Sequence, residues 1–385
     1  MAKEQVKAII AQTFLDMAEA LESGRLGGRP KIALTGMGGE HGEENAMAGA
    51  ALAAKQGVEV YYIGTLRHPG VTTVEVPDEA AGHKKMEELL QTGQVQGAVT
   101  MHYPFPIGVS TVGRCATPAR GKEMYLATTT GTASLDRVEG MVKNAVYGII
   151  AAKACGVREP TVGILNIDGA RQAETLLKQL QAGGYPIRFA ASGRADGGCI
   201  LRGNDVLTGA ADVLVTDSLT GNVILKMLSA GTSGGGFETI GDGYGPGIGE
   251  GYDRLVMIVS RASGASVIAG ALAYAAELIS GGYQAVAKAE FEAANKAGLK
   301  KLLAQSAASR KGPAPAAEVA APPKEIVTAA IAGIEVMDLE DAVRLLWENN
   351  IYAESGMGCT GPIVLVSEAN LGAARPILQK GGYIG

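Results

Sequence analysis

The residues whose types are best suited to catalysis lie near the end of the chain, in segment 354–362, where Cys359 stands among glycines and a proline. Glycines at positions 356, 358 and 361 allow positive φ angles and leave room for another molecule to approach. Such a loop can turn its amide N–H groups toward one point. There they lower the pKa of a thiol from about 8.5 and hold a carbonyl oxygen that becomes negative during acyl transfer. Two interpretations follow: an exposed cysteine that carries an acyl group, or a tight turn with a buried, inert cysteine.

A second suggestive segment is the glycine-rich run 36–42, which follows an apolar stretch at 31–35 and precedes a helix-forming run at 43–56. In the order strand, glycine loop and helix, N–H groups of the loop and of the first helical turn converge and can hold an anion. Gly38 and Gly39 lie in the middle of this loop. The segment lacks the Gly-Lys-Ser/Thr of a P-loop and the spacing of a dinucleotide fingerprint. It therefore indicates either an anion cradle or an ordinary turn between a strand and a helix.

Two further segments place polar and cationic groups where strands end. In the first, Thr220 is predicted to cap a helix on which Asn222 and Lys226 share one face near the positive end. In the second, Ser260 and Arg261 lie between an apolar strand and a helix. An amide, an ammonium, a guanidinium and a hydroxyl together suit phosphate or an oxyanion. For Lys226 the alternative is a solvated side chain on an ordinary helix.

The order of the predicted elements positions these groups. Strand-like and helix-like runs alternate through most of the chain, which predicts an α/β fold with a mostly parallel sheet covered on both faces. Ligands then gather at the carboxyl ends of the strands. The glycine-dense run 231–251 is long enough to act as a lid over such an edge.

Composition changes sharply at 305–324, where alanine and proline dominate. Such a segment forms no packed core and is predicted to be an extended, semi-rigid linker that reaches roughly 60 Å at about 3.1 Å per residue. We therefore divide the chain into a core at 1–304, a linker at 305–324 and a small tethered α/β module at 325–385 that carries Cys359. A tethered cysteine can visit two sites, one on a partner and one on its own core.

Composition also argues against several classes of function. The 385 residues carry a net charge of −5 without a basic stripe, which argues against nucleic-acid binding. The sequence shows neither the roughly 18-residue apolar run of a membrane span nor a secretory signal, so we expect a cytoplasmic protein. The 4 histidines show no ligand spacing and the 4 cysteines lie far apart, which argues against a zinc site and disulfides.

Three of these segments resemble motifs of phosphate acyltransferases, which include phosphotransacetylases and the acyl-phosphate-forming enzyme of bacterial phospholipid synthesis. The run 32–42 is similar to the opening Met-Gly-Gly-Asp-His-Gly motif of the latter, although Thr35 stands where an aspartate is usual. This resemblance implies that Gly38, Gly39 and His41 bind phosphate.

The stretch with Asn222 and Lys226 resembles a Ser-Gly-Asn…Lys motif of both groups, which implies phosphate binding by these two residues. Ser260 and Arg261 resemble the serine–arginine pair that phosphotransacetylases direct at phosphate and the acyl thioester, which implies catalytic roles. Val267 stands where phosphotransacetylases have an aspartate. The resemblance therefore supplies no carboxylate base at this position.

Taken whole, the sequence resembles the α subunits of component C of glycine, sarcosine and betaine reductases, most specifically in the loop around Cys359 and the module after the linker. The resemblance implies a two-subdomain core like that of isocitrate and isopropylmalate dehydrogenases, in an oligomer. It also implies the reaction. Cys359 holds an acetyl thioester derived from a selenoprotein-bound two-carbon unit, and inorganic phosphate cleaves it to acetyl phosphate without a bound cofactor. The implied partners are the component C β subunit, which is similar to ketoacyl synthases, and the selenoprotein component A.

Three alternatives stay open. In the first, the core is a degenerate acyltransferase that docks and scaffolds a catalytic partner, and Cys359 is structural. In the second, the chain is a stand-alone phosphotransacetylase that uses coenzyme A. The third is a nicotinamide-dependent dehydrogenase of related two-domain architecture, and the absent dinucleotide fingerprint counts against it. Arsenate-dependent hydrolysis of acetyl phosphate distinguishes a transferase from a scaffold.

Overall fold

Apolar runs of the sequence form strands that are buried along nearly their whole length, such as Lys31–Thr35 and Gly97–Thr100. Continuous rather than alternating burial is typical of a sheet covered on both faces. The computed structural model describes residues 13–14, 17, 28–194, 197–310, 319–335, 338–358 and 361–384. The chain divides into two compact units, which are Met1–Gly163 with Ile187–Ala293 and Ile164–Pro186 with Ala294–Gly385.

The strands are β1 (Lys31–Thr35), β2 (Glu59–Gly64), β3 (Thr72–Glu75), β4 (Gly97–Thr100), β5 (Val109–Ala116), β6 (Glu123–Thr132), β7 (Thr161–Leu165), β8 (Arg188–Phe189), β9 (Ile200–Leu201), β10 (Val213–Val215), β11 (Gly245–Ile248), β12 (Val256–Ile258), β13 (Ala329–Ala332), β14 (Ala353–Gly358) and β15 (Gly361–Val366). The helices are α1 (Gly42–Lys55), α2 (Glu79–Gln91), α3 (Arg137–Ala154), α4 (Ala170–Ala182), α5 (Gly203–Thr208), α6 (Ser218–Ala230), α7 (Ala265–Ser280), α8 (Tyr283–Lys296), α9 (Leu299–Arg310), α10 (Leu339–Glu348) and α11 (Leu371–Lys380).

The first unit is built on a sheet that, within the described residues, has 12 strands in the order β3-β2-β1-β4-β12-β11-β5-β6-β10-β7-β8, with β9 beside β7. Parallel pairs predominate, which confirms the mostly parallel α/β sheet predicted from the alternating pattern. The pairs β12–β11, β11–β5 and β5–β6 are antiparallel. These reversals make β10 run opposite to β1, β4 and β12. The helix that follows β10 therefore returns toward the edge where β1, β4 and β12 end.

Helices α1 and α7 pack closely because Gly49 leaves no side chain between them. A Cβ on Gly49 would lie 2.8 Å from the Ile268 side chain. The two helices follow β1 and β12, so both begin at the carboxyl edge of parallel strands. Among the described residues, no single helix is long and apolar enough to cross a membrane. The consecutive helices α7 and α8 meet that length and composition test only when taken together, and they are bent by 67° relative to each other.

The glycine-dense run 231–251 differs from the lid expected for it. Its second half contains β11, a buried strand between β12 and β5. A Cβ on Gly245 would lie 1.7 Å from the carbonyl oxygen of Val112. Glycine is needed here because the strands approach closely, so the expectation of a free lid is wrong for this part of the run.

In the second unit, β13, β15 and β14 form an antiparallel sheet in that order. Helices α10 and α11 pack on this sheet around an apolar core. Fully buried members of the core include Leu346, Val364 and Leu378. The C-terminal residues thus form a small α/β arrangement with its own core.

The same unit includes α4, which the sequence predicts as part of the core, and α9, which the predicted boundary after residue 304 divides between the core and the linker. Glu335, which follows β13, accepts hydrogen bonds from the N–H groups of Gly169 and Arg171 at 2.9 and 3.1 Å. Helix α4 has Gly169 at its N-cap position and no side-chain cap of its own. The Glu335 carboxylate therefore supplies the acceptors that the start of α4 needs, where a negative charge is favourable.

The predicted linker is described only in part. Helix α9 ends at Arg310, so the expectation of an extended segment is wrong for residues 305–310, which are helical. Residues 311–318 lie outside the described residues, and residues 319–324 form neither helix nor strand. The division of the chain into core, linker and module stays a prediction.

Candidate functional site

The loop between β1 and α1 is shaped by glycines. Gly38 has a φ of +92°, which disfavours any side chain. A Cβ on Gly39 would lie 2.9 Å from the Met101 side chain. His41 occupies the N-cap position of α1 and makes no side-chain cap bond, and the N–H of Gly42 donates to the Gly39 carbonyl oxygen at 3.3 Å. A glycine loop that leads into a helix start of this kind is suited to hold an anion.

The turn after β12 lies against this glycine loop. The N–H of Glu40 donates to the carbonyl oxygen of Arg261 at 2.8 Å. Within the turn, Ser260 Oγ accepts from the Ala262 N–H at 3.1 Å, and Ser263 Oγ accepts from the Ser260 N–H at 3.0 Å. The Arg261 side chain is 57% exposed. These bonds fix the backbone from which the guanidinium extends beside the glycine loop.

Helix α6 brings further groups toward the same edge. Asp217, rather than the predicted Thr220, is its cap, and the Asp217 carboxylate accepts from the Thr220 N–H at 2.8 Å. Asn222 donates from its side-chain amide to the Thr129 carbonyl oxygen at 3.2 Å, which anchors α6 on β6. Lys226 lies in the second half of α6, not near the positive end as the sequence analysis expects. It reaches the carboxyl edge of β12 because α6 runs back from the reversed strand β10.

Glu238 is a candidate that the sequence analysis does not identify. It is 2% exposed and accepts hydrogen bonds from Tyr244 Oη at 2.8 Å and from Ser263 Oγ at 2.7 Å. Lys226 Nζ lies 3.5 Å from one of its oxygens. Glu238 thus connects α6 to the turn that carries Ser260. In the sequence it is one acidic residue in a glycine-dense run, and only the fold brings its partners to it.

The hydrogen bond from Tyr244 to Glu238 is maintained over the usual pH range. Burial, together with the neighbouring Glu238 carboxylate, raises the pKa of Tyr244 well above its ordinary value. The phenol therefore stays protonated and continues to donate. Lys226 Nζ also lies 5.6 Å from the centre of the Tyr244 ring, within the range of a cation–π contact.

Direct contacts link most of the predicted site residues. The His41 ring meets the Phe237 ring edge-on, with 5.5 Å between centroids, and Phe237 precedes Glu238 in the chain. The predicted residues in this connected region are Gly38, Gly39, His41, Lys226, Ser260 and Arg261. Asn222 lies one helical turn before Lys226 and is bonded to β6. Cys359 lies outside the described residues. The prediction of a glycine loop over 354–362 is wrong for the described part of that segment, because residues 354–358 and 361–362 belong to the paired strands β14 and β15.

The described cysteines are in environments that suppress thiol chemistry. Cys115 and Cys199 are each 3% exposed. Burial raises the pKa of Cys115 and that of Cys155 to about 12. The neighbouring Arg114 does not supply an activating charge to Cys115, since its guanidinium lies 2.5 Å from Asp242. Thiols of this kind are protonated near neutral pH and react poorly.

Comparison with known proteins identifies the families to which this chain belongs. A model of the fatty acid synthesis protein family matches residues 30–365. The alpha subunit of glycine/sarcosine/betaine reductase complex component C from Peptoclostridium acidaminophilum is 54% identical over 381 residues, which is 98% of this chain and 99% of that protein. The chain belongs to both families. The resemblance to component C α subunits predicted from the sequence is thereby confirmed.

Other relatives are more distant and match part of the chain. The phosphate acyltransferase of Thermus thermophilus is 31% identical over 235 residues, which is 51% of this chain and 70% of that protein. The phosphate acyltransferase of Lysinibacillus sphaericus is 28% identical over 253 residues, which is 56% of this chain and 75% of that protein. The crystal structure of a branched-chain phosphotransacylase from Enterococcus faecalis V583 is 19% identical, covers 65% of this chain and 99% of that chain, and gives a TM-score of 0.45.

Proposed function

We propose that the chain is the acyltransferase subunit of a glycine reductase-type complex. Cys359 holds an acetyl thioester, and inorganic phosphate cleaves it to acetyl phosphate. The 54% identical relative is named as a subunit of a reductase complex, and several more distant relatives are named phosphate acyltransferases. The observation that carries the proposal is the 2.8 Å hydrogen bond from the Glu40 N–H to the Arg261 carbonyl oxygen, which joins the glycine loop to an exposed cation.

Phosphate binding is the first task of such a site. The glycine loop at Gly38 and Gly39 offers backbone N–H groups beside the start of α1, and Arg261 offers a guanidinium whose planar fork matches two phosphate oxygens. Lys226 adds a second cation, and its ammonium suits phosphate as a point charge. His41 and Asn222 are proposed as further phosphate contacts at the rim.

The reaction itself needs little proton transfer. A phosphate oxygen attacks the thioester carbonyl carbon, the C–S bond breaks, and the electron pair leaves on the Cys359 sulfur as thiolate. Inorganic phosphate is present partly as the dianion near neutral pH and a thiolate is a good leaving group, so no general base is required for the attack. The site acts by holding phosphate against the carbonyl and by compensating charge with the Arg261 guanidinium and the Ser260 hydroxyl.

Glu238 fits a positioning role in this scheme. Its carboxylate is buried and accepts from Tyr244 and Ser263 while it pairs with Lys226. A carboxylate with these partners is poorly placed to take a proton from substrate. It orients the Lys226 ammonium and holds the turn at Ser260. Glu238 therefore does not replace, as a base, the aspartate that phosphotransacetylases have where this chain has Val267.

The environment of the other cysteines supports Cys359 as the acyl carrier. Cys115 and Cys155 have pKa values raised to about 12 by burial, and Cys199 is buried. Cys359 lies between β14 and β15 in a glycine-rich stretch of the sequence, on the proposed tethered module. In a complex, the tether would let this cysteine receive the acetyl group at the component C β subunit and selenoprotein component A and then present it to phosphate.

The test uses the purified full-length chain, acetyl phosphate and arsenate. Acetyl transfer to the thiol followed by attack of arsenate predicts arsenate-dependent loss of acetyl phosphate without coenzyme A. Cys359→Ala should abolish this activity, whereas Cys155→Ala should retain it as a matched control. Activity that requires coenzyme A and survives in Cys359→Ala would instead identify a phosphotransacetylase. A folded protein with no activity in any of these assays would favour a scaffold.

A further inference from the structure

The glycine loop already has a negatively charged group against it. Glu79 is the first residue of helix α2, and its carboxylate lies close to the Cα of Gly38. A Cβ on Gly38 would lie 2.8 Å from Glu79 Oε1, 2.9 Å from Cδ and 3.2 Å from Oε2. Gly38 therefore leaves the space that this carboxylate occupies, in addition to adopting its positive φ.

The same carboxylate oxygen faces two groups that can carry positive charge. Glu79 Oε1 lies 3.8 Å from Arg261 Nη2 and 3.8 Å from His83 Nε2. Its side chain is 42% exposed, and both separations are those of ion pairs rather than of short hydrogen bonds. An exposed pair of this kind is weak and easily exchanged for another anion.

Helix α2 does not need Glu79 as its cap. Asp78 occupies the N-cap position and accepts from the Ala81 N–H at 2.8 Å. The carboxylate of Glu79 is thus available for the contact with Gly38 and Arg261. It stands where the proposed function requires a phosphate oxygen, between the glycine loop and the guanidinium.

We propose that the Glu79 carboxylate is a built-in competitor that occupies the position proposed for phosphate and is displaced when phosphate binds. This inference rests on the proposed function. Because the competitor is attached to α2, it is present at the loop at any concentration of free anions. Phosphate dianion carries more charge than a carboxylate and displaces it, whereas acetate carries the same charge as Glu79 and gains little. Glu79 therefore makes the site select phosphate over monocarboxylates.

The test compares the wild-type chain with Glu79→Gln and Glu79→Ala in calorimetric titrations with inorganic phosphate and with sodium acetate at constant ionic strength. Both variants should bind phosphate about fivefold more tightly, the change expected for loss of one exposed ion pair. Both should also gain measurable acetate binding. Glu88→Gln is the control, because Glu88 lies on the same helix and pairs with Lys85 at 2.8 Å, away from the loop.

Several outcomes would overturn the inference. If the wild type exchanges labelled phosphate into acetyl phosphate but the Glu79 variants bind phosphate equally or more weakly, Glu79 is not a competitor, although the proposed function stands. Failure of both variants to fold would make Glu79 a structural residue. If neither the wild type nor the folded variants bind phosphate and no exchange occurs, the inference and the proposed function fall together.

Discussion

Replacement of Arg261 by alanine separates phosphate binding from folding. The ion pair of Arg261 with Glu79 spans 3.8 Å between exposed side chains, so its loss should change the free energy of unfolding by no more than about 1 kcal/mol. The backbone carbonyl that accepts from Glu40 is retained in the variant. A charged hydrogen bond to phosphate contributes about 1.5–3 kcal/mol. The KM for phosphate should therefore rise roughly 10- to 150-fold, and the unpaired Glu79 carboxylate adds repulsion in the same direction.

The assay is exchange of radiolabelled phosphate into acetyl phosphate, with urea unfolding measured in parallel. Arg188→Ala is a matched control, because Arg188 lies on β8, outside the site, and is likewise an exposed arginine in an ion pair. Its side chain is 65% exposed, and its Nη1 lies 3.9 Å from Glu159 Oε2. Its KM for phosphate should equal that of the wild type. Arg261→Lys should recover part of the affinity, since it restores the charge without the planar fork. An Arg261→Ala protein with an unchanged KM, or one whose loss of activity parallels a large loss of stability, would refute the reasoning.

Two further predictions concern buried groups. Lys226→Met should raise the KM for phosphate, which exchange kinetics measure. It should also lower the free energy of unfolding by about 1–3 kcal/mol, measured by urea unfolding, because Glu238 is 2% exposed and loses its cation. At pH 8, iodoacetamide should leave Cys115 and Cys155 unmodified in the native protein, since thiols with pKa values of about 12 are ionised to only about one part in ten thousand. Peptide mass mapping should show their labelling increase at higher pH or in denaturant.

The frame of the site follows from local sequence order. An apolar run, a glycine loop and a helix-forming run lie next to one another in the chain, and the structure has β1, the loop at Gly38 and Gly39, and α1 in that order. The same holds for Ser260 and Arg261 between β12 and α7. Patterns of this kind need only neighbouring residues and the period of each element, so the sequence predicts them.

The remaining features depend on contacts between distant parts of the chain. The direction of β10 is set by antiparallel pairs formed by β5 and β11, and it places Lys226 at the site through the second half of α6. Glu238 meets Tyr244, Ser263 and Lys226 only after those strands are assembled. No periodicity in the sequence encodes strand order, and a single acidic residue in a glycine-rich run has no distinguishing pattern.

The position of the acetyl group tests the central claim most directly. The chain is incubated with acetyl phosphate, quenched in acid and digested, and the added acetyl mass is located on a peptide. We predict that Cys359 carries it, that added phosphate removes it as acetyl phosphate, and that prior acetylation protects Cys359 from limiting iodoacetamide. Acetyl on Cys115, Cys155 or Cys199, or full acetyl transfer by Cys359→Ala, would contradict the account.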